Sequence, residues 1–270
     1  MDSTLSDSIR HRRPAFDLRI VDAHAHLGPT ALFFVPDNDD ASMVAVMDRC
    51  GVARALISSH LAVQVDAARG NELTAQAVSR FPGRLSGYLV VNPWQAPDDE
   101  LARWADDERF VGIKLHPDLH RCRLSHPRYR VVWEFAESVG CPVLTHTWYG
   151  SEFDGIDEAR TVVDAHPGVT LIAGHSWVKR EGFDDAVAVA RDFPQIILEL
   201  CGSFNHRRVI EQLVAEVGAD RVAYGSDFPF IDCRPALGRL AFARLSTEDL
   251  RSVASGTIER ATAWRGSLAR

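Results

Sequence analysis

Two histidines separated by a single residue lie near the start of the chain, at His24 and His26. Side chains alternate between the two faces of a β-strand, so both imidazoles would project the same way, and Asp22 would share that face. Two imidazole nitrogens on one face can bind a metal cation, while a nearby carboxylate accepts a hydrogen bond that fixes the tautomer. The spacing therefore indicates the beginning of a metal centre.

Further side chains of the same chemistry follow short apolar runs at wide intervals along the chain. They are Lys114, His116, His146, His175 and Asp227. Imidazole nitrogens and carboxylate oxygens suit zinc, and also iron, manganese or cobalt. A catalytic site of this kind leaves a position for water, lowers the pKa of that water, and needs a neighbouring carboxylate or imidazole to move the proton. The sequence predicts a catalytic metal site if the fold brings these residues together.

The remaining histidines lack this combination of spacing and position. A lone histidine is more often a hydrogen-bonded structural residue than a metal ligand. We therefore expect solvent-exposed or helix-capping roles for His11, His60, His120, His126, His166 and His206.

Eight short β-branched or apolar runs, each followed by a helical pattern, would position these residues. The predicted strands are Arg19–Ala23, Ala53–Ser58, Leu85–Val91, Val111–Leu115, Pro142–Thr145, Thr170–Ala173, Ile196–Leu200 and Arg221–Gly225. Their starts lie roughly 25 to 34 residues apart, which is close to the size of a βα unit. Strands that alternate with helices imply a parallel sheet, since parallel neighbours need crossover connections.

Eight βα units can close into a (β/α)8 TIM-like barrel or form an open, doubly wound sheet. The number of units and the polar residues after the strands favour the barrel, where those residues meet at the C-terminal mouth. No GxGxxG sequence follows the first strand, which disfavours a dinucleotide-binding sheet. We predict a lead-in over 1–17, one barrel domain over 18–270, an amphipathic helix at Asp40–Cys50, and closing helices at Pro235–Arg244 and Ser246–Trp264.

The composition excludes several classes of protein. The 270 residues are 46% hydrophobic and 25% charged, which is typical of a globular chain and excludes a disordered one. No apolar run reaches the ~18 residues of a membrane span. A net charge of −7 leaves no basic field to hold nucleic acid or an anionic membrane. The five cysteines are scattered and lack a CxxC pair, so we expect reduced thiols in a cytoplasmic protein.

Five short motifs contain the candidate residues: VDAHAHLG, GIKLHP, VLTHT, AGHS and YGSDFP. In this order they resemble the amidohydrolase superfamily, and within it the amidohydrolase-related branch of small decarboxylases, hydratases and lactonases. The resemblance extends over residues 18 to 265, which is nearly the whole chain. It implies a barrel with a metal site at its mouth.

The resemblance implies four metal ligands, which are His24, His26, His146 and Asp227. It further implies that Asp227 carries a proton in hydrolytic members, and that His175 is either a ligand of a second metal or a catalytic acid or base. Binuclear members place a bridging carboxylated lysine or a glutamate on strand four, where Lys114 stands, with His116 two residues nearer the mouth. We expect one divalent ion, zinc first, with manganese, iron and cobalt as alternatives.

Substrate contacts are predicted from residues that follow the strands. Trp148 and Tyr149 follow His146 closely, so they would flank a substrate ring or donate a hydroxyl, unless they only pack the adjoining loop. Arg207 follows the seventh strand, where its guanidinium could bind a substrate carboxylate with two hydrogen bonds or could lie in solvent.

Two enzymatic functions fit these residues. A hydrolase of a small lactone, ester or cyclic amide would use metal-activated water, with Asp227 or His175 moving the proton. A decarboxylase or hydratase of a small unsaturated or aromatic carboxylic acid would use His175 as acid or base. The short chain favours a small polar substrate, so we place the hydrolase first and the lyase as the alternative. A metal-dependent deoxyribonuclease is the third possibility, and a metal-binding protein without turnover is the last. The expected partner is a small-molecule substrate. Whether the chain forms a homo-oligomer is left open.

Overall fold

The computed structural model describes residues 18–177, 179, 181–202 and 206–265. The predicted lead-in over 1–17, which includes His11, lies outside the described residues, as does the end of the predicted domain at 266–270. Within the described ranges, no helix is both long and apolar enough to cross a membrane.

Eight strands form one parallel sheet whose order follows the sequence. They are β1 (Val21–Leu27), β2 (Arg54–Ser59), β3 (Leu85–Val90), β4 (Phe110–Leu115), β5 (Val143–His146), β6 (Leu171–Gly174), β7 (Ile196–Glu199) and β8 (Val222–Ala223). Helices separate successive strands, so the predicted (β/α)8 barrel is confirmed. β1 begins and ends later than predicted, and His24 and His26 therefore lie within it.

β8 is short, and the barrel closes through the chain that follows it. The Asp227 N–H donates to the His24 carbonyl at 2.7 Å, and the His26 N–H donates to the Phe228 carbonyl at 2.7 Å. We call this line of contact between β1 and residues 224–228 the seam. Because predicted metal ligands lie on both of its sides, closing the barrel also brings those ligands together.

Helices cover the outside of the sheet. They are α1 (Asp40–Cys50), α2 (His60–Gln64), α3 (Ala67–Arg80), α4 (Pro97–Trp104), α5 (Pro117–His120), α6 (Arg130–Val139), α7 (Ile156–Ala165), α8 (Phe183–Asp192), α9 (Val209–Val217), α10 (Cys233–Ala241), α11 (Thr247–Arg251) and α12 (Thr257–Ala261). α1 has the predicted bounds. The Asp39 carboxylate accepts a hydrogen bond from the Ser42 N–H at its start, and Gly51 follows its end with a φ of 75°.

The predicted closing helix Ser246–Trp264 is interrupted. A π-helical turn over Ser252–Gly256 separates α11 from α12. The Val253 carbonyl in this turn accepts a hydrogen bond from the Tyr224 N–H at 2.9 Å, next to β8. The changed hydrogen-bond pattern of a π-helical turn frees a carbonyl for such a contact. The other closing helix, α10, begins two residues and ends three residues before the predicted Pro235–Arg244.

Apolar side chains from all eight strands fill the inside of the barrel. This inner cluster consists of Val21, Ala23, Leu56, Tyr88, Val111, Leu144, Ile172, Ile197, Ala223 and Ile258. Ile258 comes from α12, so this last helix packs against the interior as well. A larger core between the strands and the helices surrounds the barrel. Polar side chains lie at the C-terminal ends of the strands, at the mouth of the barrel.

Candidate metal centre and active site

An irregularity in β1 sets the direction of its two histidines. The register between β1 and β2 shifts between Asp22 and Ala25. Ala23 belongs to the inner cluster, whereas Ala25 belongs to the outer core, so strict alternation is broken at this point. His24 and His26 both face the mouth of the barrel, as predicted. Asp22, which lies before the shift, does not share their face.

Asp22 binds the main chain instead of an imidazole. Its carboxylate accepts hydrogen bonds from the N–H groups of His24 at 3.1 Å and Ser226 at 3.0 Å, and from the Ser226 hydroxyl. Burial raises the pKa of Asp22 to about 7. The expectation that Asp22 fixes a histidine tautomer is therefore wrong, since this residue ties β1 to the segment after β8.

The side chains of His24, His26 and Asp227 meet at one point. The two Nε2 atoms are 3.2 Å apart, and Asp227 Oδ1 lies 3.1 Å from His26 Nε2 and 3.8 Å from His24 Nε2. The Nζ of Lys114 lies 2.8 Å from His24 Nε2. All four side chains are buried. The structure thus brings together three of the predicted ligands and Lys114, which stands where binuclear members of the family carry a bridging residue.

Hydrogen-bond partners at the Nδ1 atoms of His24 and His26 indicate which tautomers these imidazoles adopt. His24 Nδ1 lies 2.9 Å from Glu199 Oε2, and His26 Nδ1 lies 3.0 Å from Ser58 Oγ. With each Nδ1 donating to these oxygens, the Nε2 lone pairs face each other and the Asp227 carboxylate. In this tautomer two Nε2 lone pairs and a carboxylate oxygen converge, and such a donor set suits a divalent transition metal. The residues therefore fit a bound metal ion.

The pKa values of the titratable groups around the centre are strongly shifted from their usual ranges. Burial lowers the pKa of Lys114 to about 8, an effect that Asp227 and other neighbouring groups partly offset. Burial acts to raise the pKa of Asp227, but the contact with His26 and the other surrounding imidazoles overcome it and hold that pKa far below its usual range. Burial, and then the Lys114 ammonium, hold the pKa of His24 well below its usual range. Neutral imidazole and ionised carboxylate are the forms that bind metals.

Glu199, at the end of β7, was not predicted to take part in the site. It is fully buried, and besides His24 it accepts hydrogen bonds from the N–H groups of His175 at 3.2 Å and Cys201 at 2.6 Å. Gly225 makes room for it, because a Cβ there would lie 1.9 Å from Glu199 Oε1. In the sequence, Glu199 is one acid in an apolar run, and its place at a strand end was the only available signal.

His146 ends β5 and is oriented by Asp154. Its Nδ1 lies 2.7 Å from Oδ2 of Asp154, which is fully buried. Burial raises the pKa of Asp154 to about 7 and lowers that of His146 to about 4. The His116 ring stacks on His146, with ring centres 4.1 Å apart. His146 lies outside the compact set formed by the other three predicted ligands, whose ligand atoms are all within 4.8 Å of one another.

His175 begins a turn in which three successive residues are left-handed. The φ angles are 69° at His175, 53° at Ser176 and 50° at Trp177. The Ser176 hydroxyl donates to the Glu199 carbonyl at 2.7 Å, and Trp177 Nε1 donates to the Asp154 carbonyl at 2.8 Å. Such conformations cost about 1–3 kcal/mol each and persist where the surroundings impose them. Two buried side chains therefore fix the position of His175.

The imidazole of His175 lies between the other histidines. Its ring centre is 5.3 Å from that of His24 and 4.8 Å from that of His146, and its Nδ1 is 3.2 Å from Cys201 Sγ. Burial, and then nearby His146, lower the pKa of His175 to about 4, so the ring is neutral at neutral pH. His175, His24 and Cys201 form a second group with metal-ligand spacing. This group shares His24 with the first, so the two describe one centre.

A pocket of about 420 Å³ opens above these residues. Its floor is polar, and its wall is apolar. The apolar lining residues are Leu32, Val63, Leu119, Phe230 and Ile231. Trp148 borders the pocket with its ring nearly parallel to that of His146, at 17° and 6.1 Å. A polar floor below an apolar wall suits a small molecule with a flat apolar part and an acidic group.

The protein-family model for Amidohydrolase matches residues 21–261 of this chain. The match extends from β1 through α12 and contains every candidate ligand. The chain belongs to the amidohydrolase family. The resemblance expected from the sequence motifs is confirmed.

Several relatives of this chain are decarboxylases. The gamma-resorcylate decarboxylase of Rhizobium radiobacter is 24% identical over 223 residues, which cover 61% of this chain and 65% of that relative's length. The gamma-resorcylate decarboxylase of a Polaromonas species is 22% identical over 299 aligned positions, covering 84% of this chain and 91% of the relative. A solved Polaromonas dihydroxybenzoic acid decarboxylase, with manganese and the inhibitor 2-nitroresorcinol bound, shares the fold at a TM-score of 0.74 and 17% identity, covering 94% of this chain and 100% of that one.

These similarities change the order of the expected functions. They favour the decarboxylase alternative over the hydrolase that we placed first from sequence. They also give no preference to zinc, since the solved relative contains manganese. The sequence could not distinguish the two chemistries, because the same metal ligands serve both.

The substrate-contact residues predicted from the sequence lie in different places. Trp148 borders the pocket. Tyr149 does not, since its hydroxyl donates to Asp185 at 3.2 Å on the outside of the mouth. Arg207 is exposed beside a separate depression that Arg239 also lines. Of the three, only Trp148 lies beside the metal centre.

Two histidines expected to be exposed or capping are buried. His60, the first residue of α2, lines the pocket, with its ring centre 4.7 Å from that of His26 and its Nδ1 2.8 Å from the Gly28 carbonyl. Its place directly after β2 was the signal that could have identified it. His120 Nδ1 lies 2.8 Å from the Tyr129 hydroxyl, and His120 Nε2 lies 3.1 Å from the Val63 carbonyl. The other three histidines are as expected. His126 and His166 lie at cap positions, and His206 is exposed.

Proposed function

We propose that this chain is a metal-dependent decarboxylase of a small aromatic carboxylic acid. The observation that carries the proposal is the presence, in one pocket, of the convergent His24, His26 and Asp227 and of a separate neutral imidazole, His175. Gamma-resorcylate and dihydroxybenzoic acid decarboxylases among the relatives support the same chemistry.

His24, His26 and Asp227 would hold one divalent ion, with His146 as the fourth ligand. One ion is proposed because two of the three groups with metal-ligand spacing share His24. In the third group, Asp118, His146 and Asp154, the Asp154 carboxylate is already the hydrogen-bond partner of His146 Nδ1. Manganese is the first metal for reconstitution, since a solved relative contains it, with zinc, iron and cobalt as alternatives. When bound, such an ion supplies positive charge that orients and stabilises an oxygen anion of the substrate.

His175 would provide the proton that the reaction consumes. Decarboxylation breaks the bond between a ring carbon and the carboxylate, releases CO₂, and forms a C–H bond at the same carbon. His175 Nδ1 faces Cys201 Sγ, so Nε2 of the neutral ring would take up a proton from solvent and deliver it to the ring carbon, which returns His175 to its neutral form. Glu199 accepts the His175 backbone N–H and so keeps the ring in place.

Lys114 and Trp148 would accommodate the two parts of the substrate. Of the lining residues that the structure describes, Lys114 is the cationic one, and its ammonium offsets the cost of bringing a substrate carboxylate into a buried site. This role replaces the one expected of Arg207, which lies elsewhere. The flat Trp148 ring and the apolar wall exclude water and suit an arene.

The test is turnover of hydroxylated benzoic acids by full-length protein reconstituted with Mn²⁺. We expect one CO₂ for each arene formed and, in D₂O, one deuterium at the carbon that carried the carboxylate. Asp164→Ala changes an exposed carboxylate on α7 and serves as the matched control with unchanged turnover. Hydrolysis of a lactone and ester panel without CO₂ release from any acid would replace the proposal with the hydrolase.

A further inference from the structure

Two of the five cysteines face each other on the outside of the barrel. Cys50 is the last residue of α1 and Cys233 the first of α10, and their Sγ atoms are 3.8 Å apart. Neither lines the pocket. The other cysteines are all buried and are Cys122, Cys141 and Cys201.

The pair spans the seam from outside. α1 belongs to the first βα unit, and α10 follows the segment that closes the barrel after β8. Cys50 and Cys233 are separated by 183 residues of chain. A bond between their sulfur atoms would therefore join the first and last units of the barrel directly.

The two thiols differ in exposure and in acidity. Cys50 is half-buried, whereas Cys233 is 4% exposed. The hydrogen bond from Cys233 lowers the pKa of Cys50 below its usual range, which favours the thiolate form of Cys50. Burial raises the pKa of Cys122 to about 11 and holds that of Cys201 well above its usual range. An oxidant in solution would therefore react with Cys50 before these two buried thiols.

We propose that Cys50 and Cys233 form a modification site at which a hydroperoxide produces a reversible disulfide across the seam. The Cys50 thiolate attacks a peroxide oxygen, the O–O bond breaks, and the hydroxide that leaves takes up the proton lost by Cys50. The Cys233 thiol then attacks the sulfenic sulfur, the S–S bond forms, the S–O bond breaks, and water leaves with the thiol proton. Two thiols are oxidised and one hydrogen peroxide is reduced to two waters.

Little movement is needed for this reaction. The sulfur atoms must approach from 3.8 Å to the roughly 2 Å of a disulfide bond, a shortening of about 2 Å. Cys50 lies at the very end of its helix, directly before the left-handed Gly51, so its neighbourhood can adjust without disturbing the rest of α1.

The test is stoichiometric hydrogen peroxide on the full-length protein, followed by thiol counting after denaturation. We expect two of the five thiols to disappear, the intact mass to fall by two hydrogen atoms, and one linked peptide pair to contain Cys50 and Cys233. Because the bond would close a long loop, we expect the apparent melting temperature to rise by roughly 5 to 10 °C. Dithiothreitol should reverse both changes.

Substitutions separate this site from general oxidation. Cys50→Ser and Cys233→Ser should each abolish the linked peptide and the rise in melting temperature, whereas the matched control Cys122→Ala should retain both. Links that involve other cysteines, dimers joined through disulfides, or oxygen gained at Cys50 without a bond to Cys233 would overturn the proposal. None of these measurements depends on the decarboxylase assignment.

Discussion

The two sides of the pocket are built differently. On the side of β1 and the seam, Asp227 Oδ1 lies 3.1 Å from His26 Nε2 and 3.8 Å from His24 Nε2, and backbone hydrogen bonds join the same segments. On the side of β5 and β6, His146 and His175 contact each other edge to face, with ring centres 4.8 Å apart. In the proposed function, the first side would supply three of the four metal ligands, whereas the second would supply His146 as the fourth ligand and His175 for proton transfer. Proton transfer and most of the metal ligands would thus lie on different strands.

The largest effect is expected on the side of the seam. Asp227→Ala removes the carboxylate on which both Nε2 atoms converge, so we expect loss of bound manganese and a fall in turnover of about 10³-fold or more. Metal analysis after dialysis, beside a decarboxylation assay, measures both. Full metal content in this variant would show that the seam side is not where the ion binds.

On the opposite side, turnover should fall without loss of metal. His175→Gln removes the proton donor but leaves the convergent ligands in place, so we expect a decrease in kcat of about 10²- to 10⁴-fold. The same metal analysis provides the control. If metal content falls in parallel with kcat, then His175 is a ligand and the two sides are not functionally separate.

The buried carboxylates behind the histidines should have intermediate effects that differ between the sides. Glu199→Gln should weaken manganese binding more than Asp154→Asn does, since Glu199 orients His24 in the compact ligand set, whereas Asp154 orients His146, the proposed fourth ligand. Each change is expected to be about tenfold to 100-fold. Manganese titration and steady-state kinetics would compare them. Equal loss of affinity in both variants would indicate that His146 binds the metal as strongly as His24.

The smallest effects are expected outside the pocket. Arg207→Ala and Tyr149→Phe should each change kcat/KM by no more than about twofold, because both residues lie away from the lining. A tenfold rise in KM for Arg207→Ala would mean that the guanidinium reaches the substrate after all.

The seam side could be predicted because its residues lie in short motifs at strand ends. The spacing of His24 and His26, and the order of the eight βα units, were sufficient to bring Asp227 to them. The direction of Asp22 could not be predicted, since a register shift in β1 has no counterpart in a simple alternation rule. A single extra residue in the pairing reverses which face a side chain joins.

Contacts between distant parts of the chain account for the rest of what was missed. Glu199 is 175 residues from the His24 ring that it orients, and no local pattern relates the two. Tyr149 and Arg207 follow strands as the true site residues do, but the path of each loop decides where a side chain points. Position after a strand therefore identifies candidates, and loop geometry selects among them.

If the proposed ion binds at the seam, its binding free energy adds to the free energy of folding. The Asp227 N–H donates to the His24 carbonyl at 2.7 Å, while the side chains of the same two residues face the ion position. A species that binds only the native state stabilises it by RT ln(1 + [L]/Kd). Here the binding free energy of the metal would stabilise the contact between β1 and residues 224–228, which closes the barrel. Survival of the folded chain at high temperature should therefore follow the concentration of free metal in its surroundings.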